Sequence, residues 1–523
     1  MRQFACGLIA AAFLTAASCA NQEGKTQPVS TLAVATPRVV ETGIGKLEGL
    51  TLDGIVSFKG IPYAVPPVGE RRWRAPEPAT AWQGVRLATD YGNDCPQKRA
   101  AWDDRGRANA PMSEDCLTLN VWTPASRIPG GAPVMVWLHG GGFTTGNGAQ
   151  GMYDGTRLAQ RGLVIVTINY RLGRLGFFAH PALTAEAGAT ATGNFGLMDQ
   201  VLALKWVRDN ITAFGGDPNR VTIAGESAGG GSVNQLMIIQ DARGLFQRAI
   251  SQSGGSRDRL KSQAEAEQVG IAFAKRAGAP DATAAALRAL STDMANGNLN
   301  DQTYTGVFND GKFVTSDVDT AFAAGKQAPV PYMVGNNDYE IGMFPEAMRG
   351  PLTAMAKQRL GDTIPALGQA YGSKEAMDRT VMQDAMFTEP ARFQARHASA
   401  HGSYLYQFAY VPENLRTTVT GAPHTGDIFY VFGNLQEMGG NMQDMGAPAT
   451  AADRAEADLI GDYWADFMRT GNPNGGSRPI WPAYVADGSL MRFDANGAAA
   501  VTAKSPALDI IEAYQEAHRP SAH

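Results

Sequence analysis

A chain of 523 residues, 44% of them hydrophobic and 18% charged, has a globular composition and is long enough for one large α/β unit or for several ordinary domains. Its formal net charge is only -5, and no run of Lys and Arg forms an electrostatic footprint, which argues against nucleic-acid binding. The composition is silent on oligomeric state.

The first residues differ in texture from the rest. Arg2 precedes an apolar stretch from Phe4 to Ala17 that ends in small residues, and the polar run Asn21 to Lys25 follows. This reads as a bacterial export signal over residues 1–20, too short for a comfortable membrane span. No later segment offers about 18 uninterrupted apolar residues. Ala16-Ala17-Ser18-Cys19 is similar to a lipobox, with Ala16 where Leu is usual. Cys19 is therefore either an acylated first residue or is removed by ordinary cleavage after Ala20. The expected location is periplasmic, secreted or lipid-anchored to the outer membrane, with an N-terminal lipid as the only membrane contact. Residues 21–37 read as a flexible polar segment and 38–523 as one domain.

Two of the four cysteines, Cys6 and Cys19, belong to the signal, which leaves Cys95 and Cys116. In an oxidising compartment an even pair reads as one disulfide; the other reading is two buried free thiols. Neither cysteine has a His partner in ligand spacing, so no metal is expected, and no motif calls for a cofactor.

From about Pro37 to Trp122, short apolar runs broken by Gly and Pro predict an antiparallel entry region. From Pro133 the texture becomes an alternation of strands and helices. Val134 to Leu138 and Val164 to Asn169 are continuous apolar or β-branched runs, as strands buried on both faces require. Leu197, Val201, Leu204, Val207 and Ile211 recur at spacings of three and four, predicting a helix that stops at Gly215-Gly216. Strands are expected at 221–224, 248–253, 331–335 and 404–408, with helical cover over the sheet's carboxyl edge from 256–328 and 345–400. The fold class is α/β, with a mainly parallel sheet.

Gly225-Glu226-Ser227-Ala228-Gly229 follows the apolar run 221–224 directly and precedes small residues that can begin a helix. With 60 glycines in the chain, the pentapeptide alone carries little, but its place on a strand-to-helix turn is where a nucleophilic serine is exposed. Serine needs an imidazole to accept its proton and a carboxylate to orient the imidazole. Of seven histidines, His518 and His523 lie at the tail, His397 and His401 precede a strand, and His180 lies upstream of the serine. His139 begins His139-Gly140-Gly141-Gly142-Phe143, whose glycines leave backbone N–H groups free to face an oxyanion. His424 remains, in the loop Gly421 to Asp427 shortly after strand 404–408, and as a base it should titrate in the ordinary imidazole range, roughly 6 to 7.

Together these motifs resemble the type-B carboxylesterase family, which includes para-nitrobenzyl esterases, carboxylesterases and cholinesterases. The resemblance runs from about Gly45 to Tyr484. It also rests on Phe58 to Ala64, Ser113 to Asn120, Gly193 to Gln200, Phe214 to Pro218 and Tyr430-Val431-Phe432-Gly433. It implies a single α/β-hydrolase domain with helices on both faces of the sheet and helical insertions over the active site. It implies hydrolysis of a small-molecule ester through an acyl-enzyme, with a Ser227, His424, Glu340 triad. Glu340 matches the family's acid by its spacing from Gly335, but Tyr339 and Ile341 replace the usual Asp and Gly, and Asp338 is a rival. The resemblance places oxyanion donors at the N–H groups of Gly141, Gly142 and Ala228, and Glu226 and Ser253 as polar groups near the imidazole. Cys95 to Cys116 corresponds to the family's first disulfide loop, whose sole tryptophan here, Trp102, stands away from the cholinesterase position. The alternatives are a catalytically inactive binding or adhesion relative, or a hydrolase of amide, carbamate or thioester bonds.

Overall fold

The backbone is organised by one sheet in which the strands over residues 132–138 and 164–168 are buried along their whole length. In the computed structural model, strands β1 (Thr36–Thr42), β2 (Gly45–Leu52), β3 (Ile55–Pro62), β4 (Val85–Leu87), β5 (Thr118–Pro124), β6 (Ala132–Leu138) and β7 (Val164–Ile168) come first. Then follow β8 (Gly216–Glu226), β9 (Arg248–Gln252), β10 (Tyr332–Asn337), β11 (Ser403–Phe408), β12 (Ser489–Asp494) and β13 (Gly497–Thr502). The structure describes residues 34–99, 110–255, 257–297, 299, 303–438, 448–485, 488–502 and 505–519. The expected export signal at 1–20, with Cys19, and Trp102 lie outside these.

The strand order is β1-β2-β3-β5-β7-β6-β8-β9-β10-β11-β12-β13, with β4 beside β2. Pairing is antiparallel from β1 to β7, parallel from β7 through β6 to β12, and antiparallel again at β13. Every residue of β6 and β7 is buried, which explains their unbroken apolar sequences.

Alternation of side chains along β6 divides the core in two. Val134, Val136 and Leu138 pack with Leu197, Val201 and Leu204 of the helix Phe195–Asn210. Met135 and Trp137 point the other way, into Ile460, Tyr463, Trp464 and Phe467 of the helix Ala451–Thr470. The sheet therefore carries helices on both faces. Helix Phe195–Asn210 passes into a 3-10 turn and ends at Gly215, whose φ of 82° is the left-handed conformation that stops a helix. The segments expected to be helical do form helices, among them Gln263–Arg276, Glu346–Leu360 and Glu389–Ala398. No described helix is long and apolar enough to cross a membrane.

The strand of the elbow is longer than its apolar run suggests. β8 starts at Gly216 because Ala132 pairs with Gly216 before the register shifts to Val134 with Val221. Residues 217–220, Asp-Pro-Asn-Arg, fall in the irregularity between those two registers and have no partner residue in β6.

Cys95 and Cys116 form a disulfide with a Cα–Cα distance of 5.0 Å, closing a loop of sequence separation 21. Closing a loop of that size in the unfolded chain stabilises the fold by about 3 kcal/mol. Replacing both cysteines by alanine should lower the unfolding free energy by about that amount in urea titrations followed by circular dichroism; an unchanged midpoint and slope would show that the cross-link contributes nothing.

Candidate active site

Ser227 lies between β8 and the helix Ala228–Leu236 with φ 56° and ψ -123°, a left-handed conformation rare for a residue with a side chain. Its N–H donates to the Gln252 carbonyl (2.9 Å) and its carbonyl accepts from Gly231 N–H (2.8 Å), so the strained turn is held from both sides. The flanking glycines permit it. A Cβ on Gly225 would meet the Gly229 backbone, and one on Gly229 would run into the Leu138 carbonyl. Strand, helix and the end of β6 approach more closely there than any side chain allows.

The glycine run continues from β6 beside this elbow. A Cβ on Gly140 would stand 3.1 Å from Ser227 Cβ, so the run and the serine share one corner. Gly141 and Gly142 have φ of 108° and 61°. Ala228 opens a helix, and N–H groups of a helix's first turn have no acceptor within the helix. His139 is buried and stacked on Tyr170 at 4.3 Å between ring centroids. Burial lowers its pKa to about 4, so it is a neutral packing group.

His424 comes from the loop between β11 and the helix Gly426–Phe432. Its Nδ1 is 2.6 Å from Glu340 Oε2, and both side chains are buried. Glu340 begins the 3-10 turn after β10, and its other oxygen, Oε1, accepts from Ser253 Oγ (2.7 Å) and Asn337 N–H (2.7 Å). On the far side of the ring, Nε2 is 3.2 Å from Glu226 Oε1, the residue adjoining the serine. No hydrogen bond among the described residues joins the Ser227 hydroxyl to His424.

Asp338 does something else. Its Oδ1 accepts Ala422 N–H (2.8 Å) and its Oδ2 faces Arg492 (3.3 Å). Asn337 Nδ2 donates to the Pro423 carbonyl (2.7 Å), and Tyr339 N–H to the Ala422 carbonyl (3.0 Å). Residues 337–339 thus bond to the backbone of Ala422 and Pro423, and Glu340 reaches the imidazole.

One buried carboxylate escaped the sequence reading. Asp427, three residues after His424, accepts from Gln252 Nε2 (2.7 Å) and the Tyr406 hydroxyl (2.9 Å). Its His-x-x-Asp spacing at a helix start was the available signal. Phe387 also went unnoticed: its ring lies 5.3 Å from that of His424, placed by a single π-helical turn over Asp384–Thr388 that no sequence period announces.

Three carboxylates therefore surround one imidazole. Burial pulls the His424 pKa down, but Glu226, Glu340 and Asp427 outweigh it, and the ring is raised to about 9. This departs from the ordinary imidazole range expected from sequence. Burial likewise pushes Glu226 up to about 8, against the attraction of His424. Asp427 is raised by burial and then by Glu340.

Known proteins resemble the chain in both sequence and fold. The sequence model of the carboxylesterase family matches residues 36–510. A fumonisin B1 esterase of Sphingopyxis macrogoltabida is 36% identical, with 87% of this chain and 86% of the relative covered. A para-nitrobenzyl esterase of Bacillus subtilis (strain 168) is also 36% identical, covering 86% and 93%. A solved PNB esterase superposes with a TM-score of 0.76 at 33% identity, covering 89% of this chain and 98% of that one. A thermophilic PNB esterase gives 0.79 at 32%, covering 91% and 100%. The chain has their α/β-hydrolase fold and belongs to the carboxylesterase family.

Proposed function

We propose that this carboxylic-ester hydrolase works through an acyl-enzyme on Ser227, with His424 as base and Glu340 orienting it. The observation that carries the reading is the 2.6 Å contact of His424 Nδ1 with Glu340, with Nε2 on the other side of the ring 3.2 Å from Glu226 Oε1, the residue before Ser227. In the first half-reaction Ser227 Oγ attacks the ester carbonyl carbon and its proton passes to His424 Nε2. The hydrogen bond for that transfer closes when substrate is in place, as is common in catalytic sites. The carbonyl oxygen gains the negative charge and takes hydrogen bonds from the N–H groups of Gly141, Gly142 and Ala228. Collapse breaks the bond to the alcohol oxygen, which receives the proton from His424. Water then attacks the acyl-enzyme by the same route, releasing the acid. Small-molecule esters are the substrate class that the relatives support. Export is also part of the reading: the Cys95–Cys116 disulfide suits an oxidising compartment. Intact mass of the mature N-terminus should reveal either diacylglyceryl Cys19 or a start at Asn21; a chain that still begins at Met1 in the cell envelope contradicts export processing.

Ser227→Ala should fold normally yet lose about 10⁴- to 10⁶-fold in turnover of an activated ester, and a fluorophosphonate should label the Ser227 peptide alone. Glu340→Gln should cost about 10⁴-fold, because the imidazole loses its tautomer and its counter-charge. Asp338→Asn keeps an acceptor for Ala422 N–H and should stay within about tenfold of the parent. The reverse ranking would reassign the acid.

His424 must be neutral to accept a proton, so activity rises with pH through its apparent pKa. Since that pKa is raised, the acid limb of kcat/KM should lie above the free imidazole range. Glu226→Gln removes a negative charge facing Nε2 and should shift that limb to lower pH; a limb that moves upward, or does not move, contradicts the charge assignment.

A further inference from the structure

Gly141 and Gly142 hold left-handed backbone angles without side chains to lock them, so something outside the glycine run must fix where their N–H groups point. The run is closed by its own turn. Thr144 and Thr145 N–H both donate to the Gly141 carbonyl, at 3.0 and 3.1 Å. Gly146 packs so tightly on the His139 ring and the Gly140 carbonyl that a Cβ would not fit. Whatever holds Thr145 and Gly146 therefore holds the turn.

Gln97, two residues beyond Cys95, holds both. Its Oε1 accepts from Thr145 Oγ1 (2.6 Å) and from Gly146 N–H (2.7 Å). Its Nε2 donates to the carbonyls of Gly146 (2.9 Å) and Cys95 (3.1 Å). An amide offers two donors and two acceptor sites, and all four are used. The orientation is unambiguous, since Gly146 N–H only donates and the two carbonyls only accept. Gln97 is in turn tethered at Cys95 by the disulfide, and the neighbouring Pro96 carbonyl accepts from Asn296 Nδ2 (2.6 Å). Nothing in the sequence marks Gln97, which lies in no motif and whose oxyanion-loop partners Thr145 and Gly146 stand 48 and 49 residues away.

We propose that Gln97 is a positioning residue for the oxyanion loop, and that the Cys95–Cys116 disulfide acts on turnover by holding Gln97 in place. The inference rests on the oxyanion assignment made above. A loop that drifts by about 1 Å costs roughly 10²-fold in rate, and the loss falls on the transition state because only there does the oxygen carry full charge.

The experiment compares the parent with Gln97→Met, which keeps the shape and loses all four bonds, and Gln97→Glu, which keeps the acceptors and loses the donors. Two inhibitors are used: an aryl trifluoromethyl ketone, whose hemiketal adduct with serine carries the oxyanion, and the matching methyl ketone, which binds as a ground-state ligand. The expected result is a fall in kcat of about 10- to 100-fold with KM within about twofold. Trifluoromethyl ketone affinity should fall by the same factor as kcat/KM, with methyl ketone affinity unchanged. The glutamate variant should fall between parent and methionine variant. Reduction and alkylation of the buried disulfide in the folded parent, confirmed complete by intact mass, should reproduce the effect. Native kcat in both variants, or parallel losses in both ketones and in KM, overturns the role of Gln97. Native kcat after reduction overturns the role of the disulfide. Where the methionine variant does not fold, the glutamate variant and the reduced parent decide. Ser227→Ala run alongside separates the two readings: if it still turns over, the acyl-enzyme assignment fails, whereas an inert alanine variant beside unaffected Gln97 variants sinks this inference alone.

Discussion

The site depends on one steric constraint, the close approach of three backbone segments around residue 227. β8 must turn into a helix within one residue, so Ser227 sits at a φ of 56°. The end of β6 must pass so near the helix start that position 229 admits only glycine. Strain of this kind costs on the order of 1–3 kcal/mol and persists only where surrounding structure over-determines it. Here the parallel pairing of β8 with β6 and β9 supplies that determination, with Ser227 N–H tied to the end of β9 through the Gln252 carbonyl. The glycine run leaves β6 on one side, and Glu340 and His424 leave β10 and β11 on the other. The chemistry is collected at one end of the sheet because parallel strands end there together.

A second consequence is electrostatic. Bringing loops from β8, β10 and β11 together buries Glu226, Glu340 and Asp427 about a single imidazole. Isolated buried carboxylates are costly, so each one here has partners: Ser253 and Asn337 for Glu340, Gln252 and Tyr406 for Asp427, His424 for Glu226. Glu226 Oε1 makes no hydrogen bond and has only its 3.2 Å ionic contact with His424 Nε2. The arrangement favours the imidazolium and keeps the His424 ring protonated to higher pH than a free imidazole.

What could be read in the sequence was local. The buried strands show as unbroken apolar runs, helix 195–210 as a periodic stripe, and the elbow and glycine run as short motifs whose meaning comes from the strands before them. What could not be read depends on partners far away in the chain. Gln97 is defined by residues near 145, Asp427 by Gln252 and Tyr406, and Phe387 by a π turn set by packing rather than by sequence period. Spacing told that an acid follows β10 but left two candidates two residues apart.

The two carboxylates differ in reach. Position 338 follows the end of β10 directly, and there a short carboxylate meets the backbone of the histidine loop, accepting Ala422 N–H with Arg492 at its other oxygen. By position 340 the chain has entered a 3-10 turn, where the longer glutamate reaches past that loop's backbone to the ring itself. Asn337 serves both, giving its N–H to Glu340 and its side-chain amide to Pro423. The departures from the family pattern at Tyr339 and Ile341 fit this division. Tyr339 pairs by its backbone with the histidine loop, at Ala422 and Pro423, and Ile341 packs into a small cluster with Ala356 and Met382 under the helical cover. Backbone pairing tolerates any side chain at 339, and burial at 341 rewards an apolar one, so both substitutions leave the path from Glu340 to His424 unchanged.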